Sequence, residues 1–324
     1  MTTLGPFVHR IDPIIATVLG VHLWWYGASY TLGFLNAHLH LRRRRGALGL
    51  SLREVYDLSL LLAAGVLLGG RVVEVAFYEW PFYREHPGLI PAYWIGGMAT
   101  HGLLLGGLCG IAVFSRLHRV PFLWTCDALA VPAAVIMGFG RIGNFIDGQI
   151  VGSVTDVWWA VQFPDAEGFR HPVVLYDGLK NLAIAPILVW ITRRRPPRGV
   201  AIGAFLFLYA FLRIFVDVYR EYPTSLLGLA TGQVLNIATS AIGLALLVVP
   251  LWRKRSSRAV DVGRTPVDER EGTGRGWRPI ALAAVLLVSL VMPSDWTQDV
   301  PERYGKRHPG LSHSALYPRI EAPR

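Results

Sequence analysis

The chain has 324 residues, of which 52% are hydrophobic and only 17% are charged, and its formal net charge is +10. Soluble domains carry about 25% charged residues, and here the shortage falls in apolar stretches of about 20 residues, which excludes an ordinary soluble protein. The basic residues stand in short runs between these stretches. That placement indicates membrane topology and contact with anionic lipid rather than nucleic-acid binding.

Seven apolar segments are predicted to be transmembrane helices, because a helix pairs its own backbone groups within a bilayer. The first lacks a convincing small-residue cleavage site and is interpreted as a retained span. A shorter run at 279–293 is interpreted as an eighth span, with a re-entrant segment or an interfacial helix as the alternative. The fold class is therefore all-α integral membrane protein, with spans at 14–39, 56–78, 93–115, 122–140, 173–192, 200–219 and 230–252.

Basic runs follow the odd-numbered spans and set the orientation. They lie near residues 42–45, 116–119, 193–198 and 253–258. By the positive-inside rule these loops are cytoplasmic, and the N-terminus lies outside. The predicted organisation is a transmembrane domain at 1–258, a cytoplasmic linker at 259–278, the extra span at 279–293 and a polar periplasmic or extracellular tail at 294–324.

Two cysteines, Cys109 and Cys126, lie in apolar segments. Two such residues do not form a disulfide framework or a zinc site, so we interpret them as small buried hydrophobic side chains. The sequence shows no pattern that would hold a metal ion or a nucleotide. We therefore predict no metal and no cofactor.

The strongest local signal is the segment from Gly140 to Gly152, which follows the fourth apolar segment directly. An arginine at membrane depth, such as Arg141, is costly and tends to be functional, and its planar fork of donors suits phosphate. Asn144 adds hydrogen-bonding groups, and the glycines let backbone N–H groups approach a ligand. These residues predict a phospholipid headgroup site. The alternative is that Arg141 is only an interfacial anchor.

His101 lies in an apolar segment between small residues, in the sequence Gly96 to Gly102. An imidazole titrates near neutral pH and suits proton transfer. The alternative is a neutral histidine that is hydrogen-bonded to a neighbouring helix.

The sixth span carries a polar stripe. Tyr209, Arg213, Asp217 and Arg220 recur at three- or four-residue spacing and share one helix face. A polar stripe in a membrane helix usually faces a cavity. The alternative is a structural ion pair between Arg213 and Asp217.

Three further residues are candidates for the site. Tyr26 lies within the first span and is followed by Gly27. Arg71 follows two glycines in the outer half of the second span. His171 ends the long outer loop, immediately before the fifth span.

Taken together, these motifs resemble the prolipoprotein diacylglyceryl transferase family. They occur in the family's order from about residue 10 to residue 250. Six segments carry the resemblance: Trp25-Tyr26-Gly27, Gly96 to Gly102, Arg141 to Gly152, Arg170 to Tyr176, Tyr209 to Glu221, and Thr231-Gly232-Gln233.

The resemblance implies a bacterial inner-membrane enzyme of seven helices with its active site toward the outer face. It would transfer diacylglyceryl from phosphatidylglycerol to the lipobox cysteine of prelipoproteins and release glycerol phosphate. The implied roles are Arg141 and Arg213 at the lipid phosphate, His101 and Tyr26 at the reacting centre, Asn144 and Gly152 shaping the site, and Tyr209 and Arg220 at further polar positions.

The chain departs from the family pattern at several positions. Asp147 and Gln149 stand where the family usually has Asn and Glu, and Leu103 replaces the second glycine after the histidine. Val174 and Asp177 stand where Gln and Glu are preferred. Because Gln149 carries no charge, two alternatives remain open. One is a related lipid-modifying transferase with another acceptor or donor, and the other is a non-catalytic phospholipid-binding paralogue.

Overall fold

The computed structural model describes residues 6–220, 225–226, 229–253, 276–294 and 299–320. Most of the predicted linker at 259–278 lies outside them. Helices dominate: α1 Trp25–Leu48, α2 Leu52–Val73, α3 Trp80–Glu85, α4 Thr100–Leu117, α5 Phe122–Ile146, α6 Val173–Arg193, α7 Val200–Asp217, α8 Thr231–Arg253, α9 Trp277–Leu290 and α10 Val300–Tyr304.

Short elements connect the helices. A π-helical turn at Glu74–Tyr78 continues α2, and 3₁₀ turns lie at Pro87–Leu89 and Tyr93–Ile95. The strands form three two-stranded pairs: β1 (Phe7–Val8) parallel with β4 (Val161–Gln162), and the antiparallel pairs β2 (Ile14–Val18) with β3 (Val21–Trp24) and β5 (Ser225–Leu226) with β6 (Leu229–Ala230).

Among the described residues, five helical segments are long and apolar enough to cross a membrane, and the helices His101–Leu117 and Trp277–Leu290 are shorter and apolar. The prediction of a mostly helical, multi-pass membrane protein is confirmed in this form. The exact number of spans and the side of the N-terminus stay predictions. The five segments are Leu52–Tyr78, Phe122–Ile146, Val173–Arg193, Val200–Asp217 and Gln233–Trp252.

The first predicted span is wrong in its first part. Residues 14–24 form an antiparallel hairpin, and the helix begins only at Trp25. Leu19 and Gly20 both have positive φ, 51° and 80°, as a tight hairpin turn requires. The β-branched residues Val18 and Val21 that flank the turn suit strands. A helix and a hairpin of this composition look equally apolar, which is why hydrophobicity alone failed here.

Two other boundaries also differ from the prediction. The third span was expected from residue 93, but α4 begins at Thr100, because Gly96 and Gly97 have positive φ of 86° and 85°. His101 therefore lies in the first turn of the helix rather than deep within it. Helix α5 continues to Ile146, so Arg141 stands on its last turns rather than in a loop.

The chain divides into two compact units. The first comprises Met1–Arg10 with Pro121–Pro266, and the second comprises Ile11–Val120 with Val267–Arg324. In the first unit, α5, α6 and α7 pack around a core of small and aliphatic side chains, and α7 also packs on α8. The buried members of this core include Ala130, Ala134, Ile184, Leu188, Ala204 and Phe205.

In the second unit, α2 and α4 pack backbone to backbone through glycines. A Cβ atom at Gly106 would lie 1.9 Å from the Gly65 carbonyl oxygen, and one at Gly102 would lie 2.2 Å from that of Gly69. Small residues that allow such close approach are the usual means of joining membrane helices. These glycines thus hold α4, and with it His101, against α2.

Helix α9 packs on α1 and α2 in the second unit. The contact with α1 centres on Gly27, because a Cβ there would lie 2.4 Å from the Ser289 carbonyl oxygen. The Thr31 hydroxyl adds hydrogen bonds of 3.0 Å to the Leu286 carbonyl oxygen and 2.8 Å to Ser289 Oγ. The segment that was predicted as an extra span is therefore a helix, α9, and it packs closely against Gly27, the residue after Tyr26.

The C-terminal tail, residues 299–320, packs on the β2–β3 hairpin. Its Tyr317 ring stacks on His22 at a centroid distance of 4.5 Å, and its hydroxyl accepts a 2.8 Å hydrogen bond from the His22 N–H. His308 lies 2.6 Å from Asp12. The shared core comprises Ile14, Trp24, Ala92, Ile95, Val300, Tyr304 and Tyr317.

Gly27→Ala is expected to lower the free energy of unfolding by about 1–3 kcal/mol, because the added methyl group overlaps the backbone of α9. Thermal unfolding of the detergent-solubilised protein measures the change. Gly46→Ala is the matched control on the same helix, since a Cβ there meets nothing within 4 Å. Equal unfolding midpoints for the two variants would contradict this packing.

Docking of the tail is expected to weaken as the pH falls from about 7 to about 5. Burial, and secondarily the charge of His308, lower the pKa of His22 below its usual value of 6.5. The undocked chain therefore binds the proton more readily, and stability is lost below pH 6.5. The effect is measured by hydrogen exchange of the amides of 299–320 at both pH values, expressed as protection factors that correct for the intrinsic pH dependence of exchange.

The matched variant for this experiment is His22→Phe, which keeps an aromatic ring on Tyr317 but does not titrate. The protection factors of its tail, which correct for the intrinsic pH dependence of amide exchange, should be equal at pH 7 and pH 5. Burial raises the pKa of Asp299, but hydrogen bonds from the Glu302 N–H and from His313 hold that pKa below its usual 3.8. The contribution of Asp299 to the stability of the docked tail is therefore lost only at a pH below 3.8. An unchanged pH dependence in the variant would refute the role of His22.

Candidate functional site

The first unit contains a cluster of charged side chains built around Asp177 on α6, which is 1% exposed. Arg141 from α5 places Nε 2.7 Å from Asp177 Oδ2. Arg213 from α7 donates through Nη1 to the same oxygen. Lys180, one turn along α6, places Nζ 2.8 Å from Oδ1. Three helices thus meet at one carboxylate.

A second carboxylate holds Arg213 from the other side. Arg213 Nε donates to Asp217 Oδ1 at 2.9 Å, and Asn236 Nδ2 of α8 donates to Asp217 Oδ2 at 2.9 Å. Both charged side chains are buried. The ion pair that the sequence left as an alternative is therefore present. It lies in the same cluster as the predicted phosphate ligands.

The cluster borders a narrow cleft with about 160 Å³ of empty space. The cleft does not admit a water-sized sphere, so a headgroup enters only if the side chains move apart. Carboxylate and phosphate oxygens are both good partners for a guanidinium, so a phosphate that reached these arginines would compete with Asp177 for them. The lining residues are Arg141, Ile150, Val173, Val174, Asp177, Arg213, Val216 and Arg220.

The signature segment turns sharply after α5. Asn144 is buried, and its side-chain oxygen lies 3.4 Å from Arg141 Nη1. Its backbone oxygen accepts a 3.0 Å hydrogen bond from the Gln149 N–H, which closes the end of the helix. Asp147 and Gln149 are buried within this turn. Gly148 adopts φ of 69°, in the region that favours glycine.

Gly152 lets the chain after the signature segment pass between the segments that contain His171 and Tyr219. It bridges to Arg220 as an antiparallel pair, and its N–H donates to the His171 carbonyl oxygen at 3.1 Å. A Cβ atom there would lie 2.6 Å from that oxygen and 2.8 Å from the Tyr219 oxygen. Gly152 therefore joins the signature segment to the end of α7.

An aromatic group lies beside this junction. His171 Nδ1 is 3.0 Å from the Tyr176 hydroxyl, and Trp159 Nε1 donates to the same hydroxyl at 2.6 Å. The His171 ring also lies 4.8 Å from the Tyr219 ring. Tyr209, another predicted member of the site, lies under Lys180, with Nζ 4.2 Å from the ring centroid.

The second unit holds the other predicted residues. The buried Tyr26 donates its hydroxyl hydrogen to Tyr30 at 3.1 Å. The exposed His101 has Nδ1 3.3 Å from the Tyr78 hydroxyl, on the π-helical turn. The other ring nitrogen of His101, Nε2, therefore faces away from Tyr78. Roles for both residues in the reaction stay predictions.

Arg71, predicted to bind lipid, is buried as a backbone clamp. An arginine has five N–H donors, and in Arg71 they make five hydrogen bonds to carbonyl oxygens of the loop before α4. The ring centroids of Tyr83 and Tyr93 lie 5.0 and 5.6 Å from its guanidinium carbon. In this arrangement Arg71 holds the loop. The acceptors are Leu89, Ile90, Ala92, Gly96 and Gly97.

Sequence reasoning missed Lys180 and Asn236, and treated Asp177 only as a family departure. A signal for Lys180 was present: it stands three residues after an aspartate in an apolar helix, where charged residues are rare and usually functional. Asn236 gives no such signal. Among the described residues, no group of three His, Cys, Asp or Glu side chains is arranged to hold a metal ion.

The fold and the cluster define a helical membrane protein with a cleft that is lined by arginines. A family described as prolipoprotein diacylglyceryl transferase has a sequence model that matches residues 13–249. Phosphatidylglycerol–prolipoprotein diacylglyceryl transferases of Geobacter sulfurreducens and Mannheimia succiniciproducens are 38% and 37% identical to the chain. The alignments cover 76% of this chain and 97% and 96% of those proteins.

A protein of the same name from Chromohalobacter salexigens is 38% identical over 76% of this chain and 93% of its own length. The chain therefore belongs to the prolipoprotein diacylglyceryl transferase family and is a transferase. The resemblance that the motifs indicated is confirmed. The family match ends at residue 249, so α9 and the tail lie beyond it.

Gly152→Ala is expected to destabilise the first unit by about 1–3 kcal/mol and to lower activity, because the methyl group would push apart the His171 and Tyr219 segments. Ser153→Ala is the neighbouring control: its exposed hydroxyl makes only a 3.3 Å hydrogen bond to the Tyr219 oxygen. Unfolding midpoints and transfer rates of both variants measure the difference. A Gly152→Ala protein as stable and active as Ser153→Ala would contradict the packing.

Proposed function

We propose that the protein transfers the diacylglyceryl group of phosphatidylglycerol to the lipobox cysteine thiol of a prelipoprotein and releases glycerol phosphate. Membership of the family supports the reaction. Arg141 and Arg213 come from separate helices and lie at one cleft within the apolar part of the chain. This observation supports a phospholipid as the donor. Two guanidinium groups at one cleft suit a phosphodiester.

In this reaction the cysteine sulfur forms a bond to the glyceryl carbon, and the bond from that carbon to the phosphate oxygen breaks. The bonding electron pair leaves with glycerol phosphate, which gains negative charge. Arg141 and Arg213 stabilise that charge as it develops. The thiol proton passes to a base, since a thiol is mostly protonated at neutral pH. We assign that role to His101, with Tyr26 beside the reacting centre.

Other side chains shape the site. Asn144 and Gly152 fix the signature turn, and Tyr209 and Arg220 complete the polar surroundings of the lipid. Four further residues support the site through their contacts. Asp217 orients Arg213, and His171 belongs to the aromatic group beside Gly152. Asp147 and Gln149 fill the turn after α5. Arg71 contributes by holding the loop that leads to His101.

We also propose the location of the protein. It lies in the bacterial cytoplasmic (inner) membrane with seven spans and a short eighth, its N-terminus outside and its active site toward the outer face. The basic runs support this orientation. The part of α1 before its arginine run, residues 25–41, measures about 26 Å at 1.5 Å per residue, which is at the lower limit for a span. Residues 1–258 form the transferase domain, and 294–324 form the outer tail.

Gln149 favours a second candidate, a related transferase with a different acceptor or donor. The side chain is buried and neutral where the family usually carries a glutamate. Mass spectrometry of lipid that copurifies with the protein identifies the donor. Phosphatidylglycerol supports the first candidate, and another bound phospholipid supports the second.

Arg213→Ala is expected to reduce transfer at least about 100-fold, because a donor that stabilises developing charge is lost. The assay is lipidation of a lipobox peptide with phosphatidylglycerol, together with growth of a strain depleted of its own transferase. Arg141→Ala should behave alike. Arg116→Ala removes an exposed arginine and is the control. Full growth with Arg213→Ala would refute the phosphate assignment, and failure of the well-expressed parent protein would refute the proposed reaction.

A further inference from the structure

Lys180 is an unusual residue for its position. It stands in the apolar helix α6, and its side chain is only 7% exposed. Its ammonium lies 2.8 Å from Asp177 Oδ1 and donates to the Tyr209 carbonyl oxygen at 3.0 Å. A buried charge within a membrane helix is costly and needs a compensating role.

The arrangement around Asp177 separates Lys180 from the two arginines. Arg141 and Arg213 both contact Oδ2, whereas Lys180 contacts Oδ1. The arginines line the cleft together with Asp177, and Lys180 is not among the described residues that line it. Lys180 therefore approaches the carboxylate from behind the cleft.

The net charge of the cluster shows the effect of a lysine at position 180. Among the described residues, three cations, Arg141, Lys180 and Arg213, contact two carboxylates, Asp177 and Asp217, which leaves one positive charge. Without Lys180 these groups would be neutral, and an anion would have to compete with Asp177 for both arginines. Arg220 lines the cleft as well, and its own charge is the same with and without Lys180.

We propose that Lys180 is a positioning and specificity residue: it retains Asp177 from behind the cleft while Arg141 and Arg213 turn toward the phosphodiester of an anionic lipid. The surplus positive charge then favours an anionic headgroup over a zwitterionic one, whose own ammonium group is repelled. This inference rests on the proposed function, in that the anionic lipid is the donor of the reaction.

A purely structural role for Lys180 makes a different prediction. The contacts with Tyr209 join α6 to α7, and loss of those contacts would not be repaired by a change at Asp177. If Lys180 acts through the charge balance of the cluster, a change at Asp177 restores the lost lipid preference. Lys180→Met combined with Asp177→Asn has the same net charge in the cluster as the parent protein, whereas Lys180→Met alone has one positive charge fewer.

The experiment measures binding of phosphatidylglycerol and of phosphatidylcholine to the full chain in nanodiscs, with fluorescent lipid as the displaced probe. Lys180→Met is expected to lose the preference for phosphatidylglycerol by about tenfold, as removal of one nearby charge implies. Lys180→Arg should retain the preference, and the double variant should regain it. Thermal unfolding midpoints and transfer kinetics accompany each measurement, with the loss expected in KM rather than in kcat.

Three results would overturn the inference: Lys180→Met with an unchanged lipid preference, Lys180→Arg as weak as Lys180→Met, or a folded double variant as weak as Lys180→Met. If Lys180→Met does not fold, Asp177→Asn alone decides. It adds one positive charge to the balance and is expected to bind phosphatidylglycerol more tightly, and weaker binding would overturn the inference. Lipid binding that depends on Lys180 without transfer to a lipobox peptide would overturn the proposed function only, and transfer without that dependence would overturn the inference only.

Discussion

The buried carboxylate of Asp177 is the interaction on which the candidate site depends. Arginines from α5 and α7 and a lysine from α6 all contact it, so it fixes where three helices meet. Buried cations are costly without a counter-ion, and a carboxylate that lost its partners would be equally costly. Cations placed here for the proposed binding of a phosphate therefore need an internal anion, and Asp177 supplies it.

This arrangement explains why the cleft is narrow. The arginines that would grip a phosphate are already paired, Arg213 with two carboxylates. In the proposed reaction, binding of the phosphodiester would be an exchange of partners within a charge cluster rather than entry into an open cavity. Such an exchange loses little electrostatic energy, because one charge-assisted contact replaces another. In the proposed reaction, the same exchange would stabilise a product with greater negative charge by the same side chains.

The sequence predicted the helices of the first unit and most of the charged side chains, because composition and three- to four-residue spacing report those features directly. Arg213 and Asp217 were placed on one face, and the structure pairs them. The hairpin at residues 14–24 escaped prediction, since apolar strands and apolar helices share a composition and only Leu19-Gly20 marked the turn. Arg71 shows a further limit: its neighbours in sequence indicated a ligand, but its actual partners are carbonyl oxygens some 20 residues away.

The second unit has a consequence for how the protein is made. Its first part, Ile11–Val120, is synthesised before the whole of the segment Pro121–Pro266, and its last part, Val267–Arg324, only afterwards. At a translation rate of about 5–20 residues per second, α1 and the β2–β3 hairpin wait on the order of ten seconds for α9 and the tail that complete their packing. During that interval Gly27 lacks its contact with α9 and Trp24 lacks its contact with Tyr304, so these early elements complete their packing only when synthesis of the chain is almost finished.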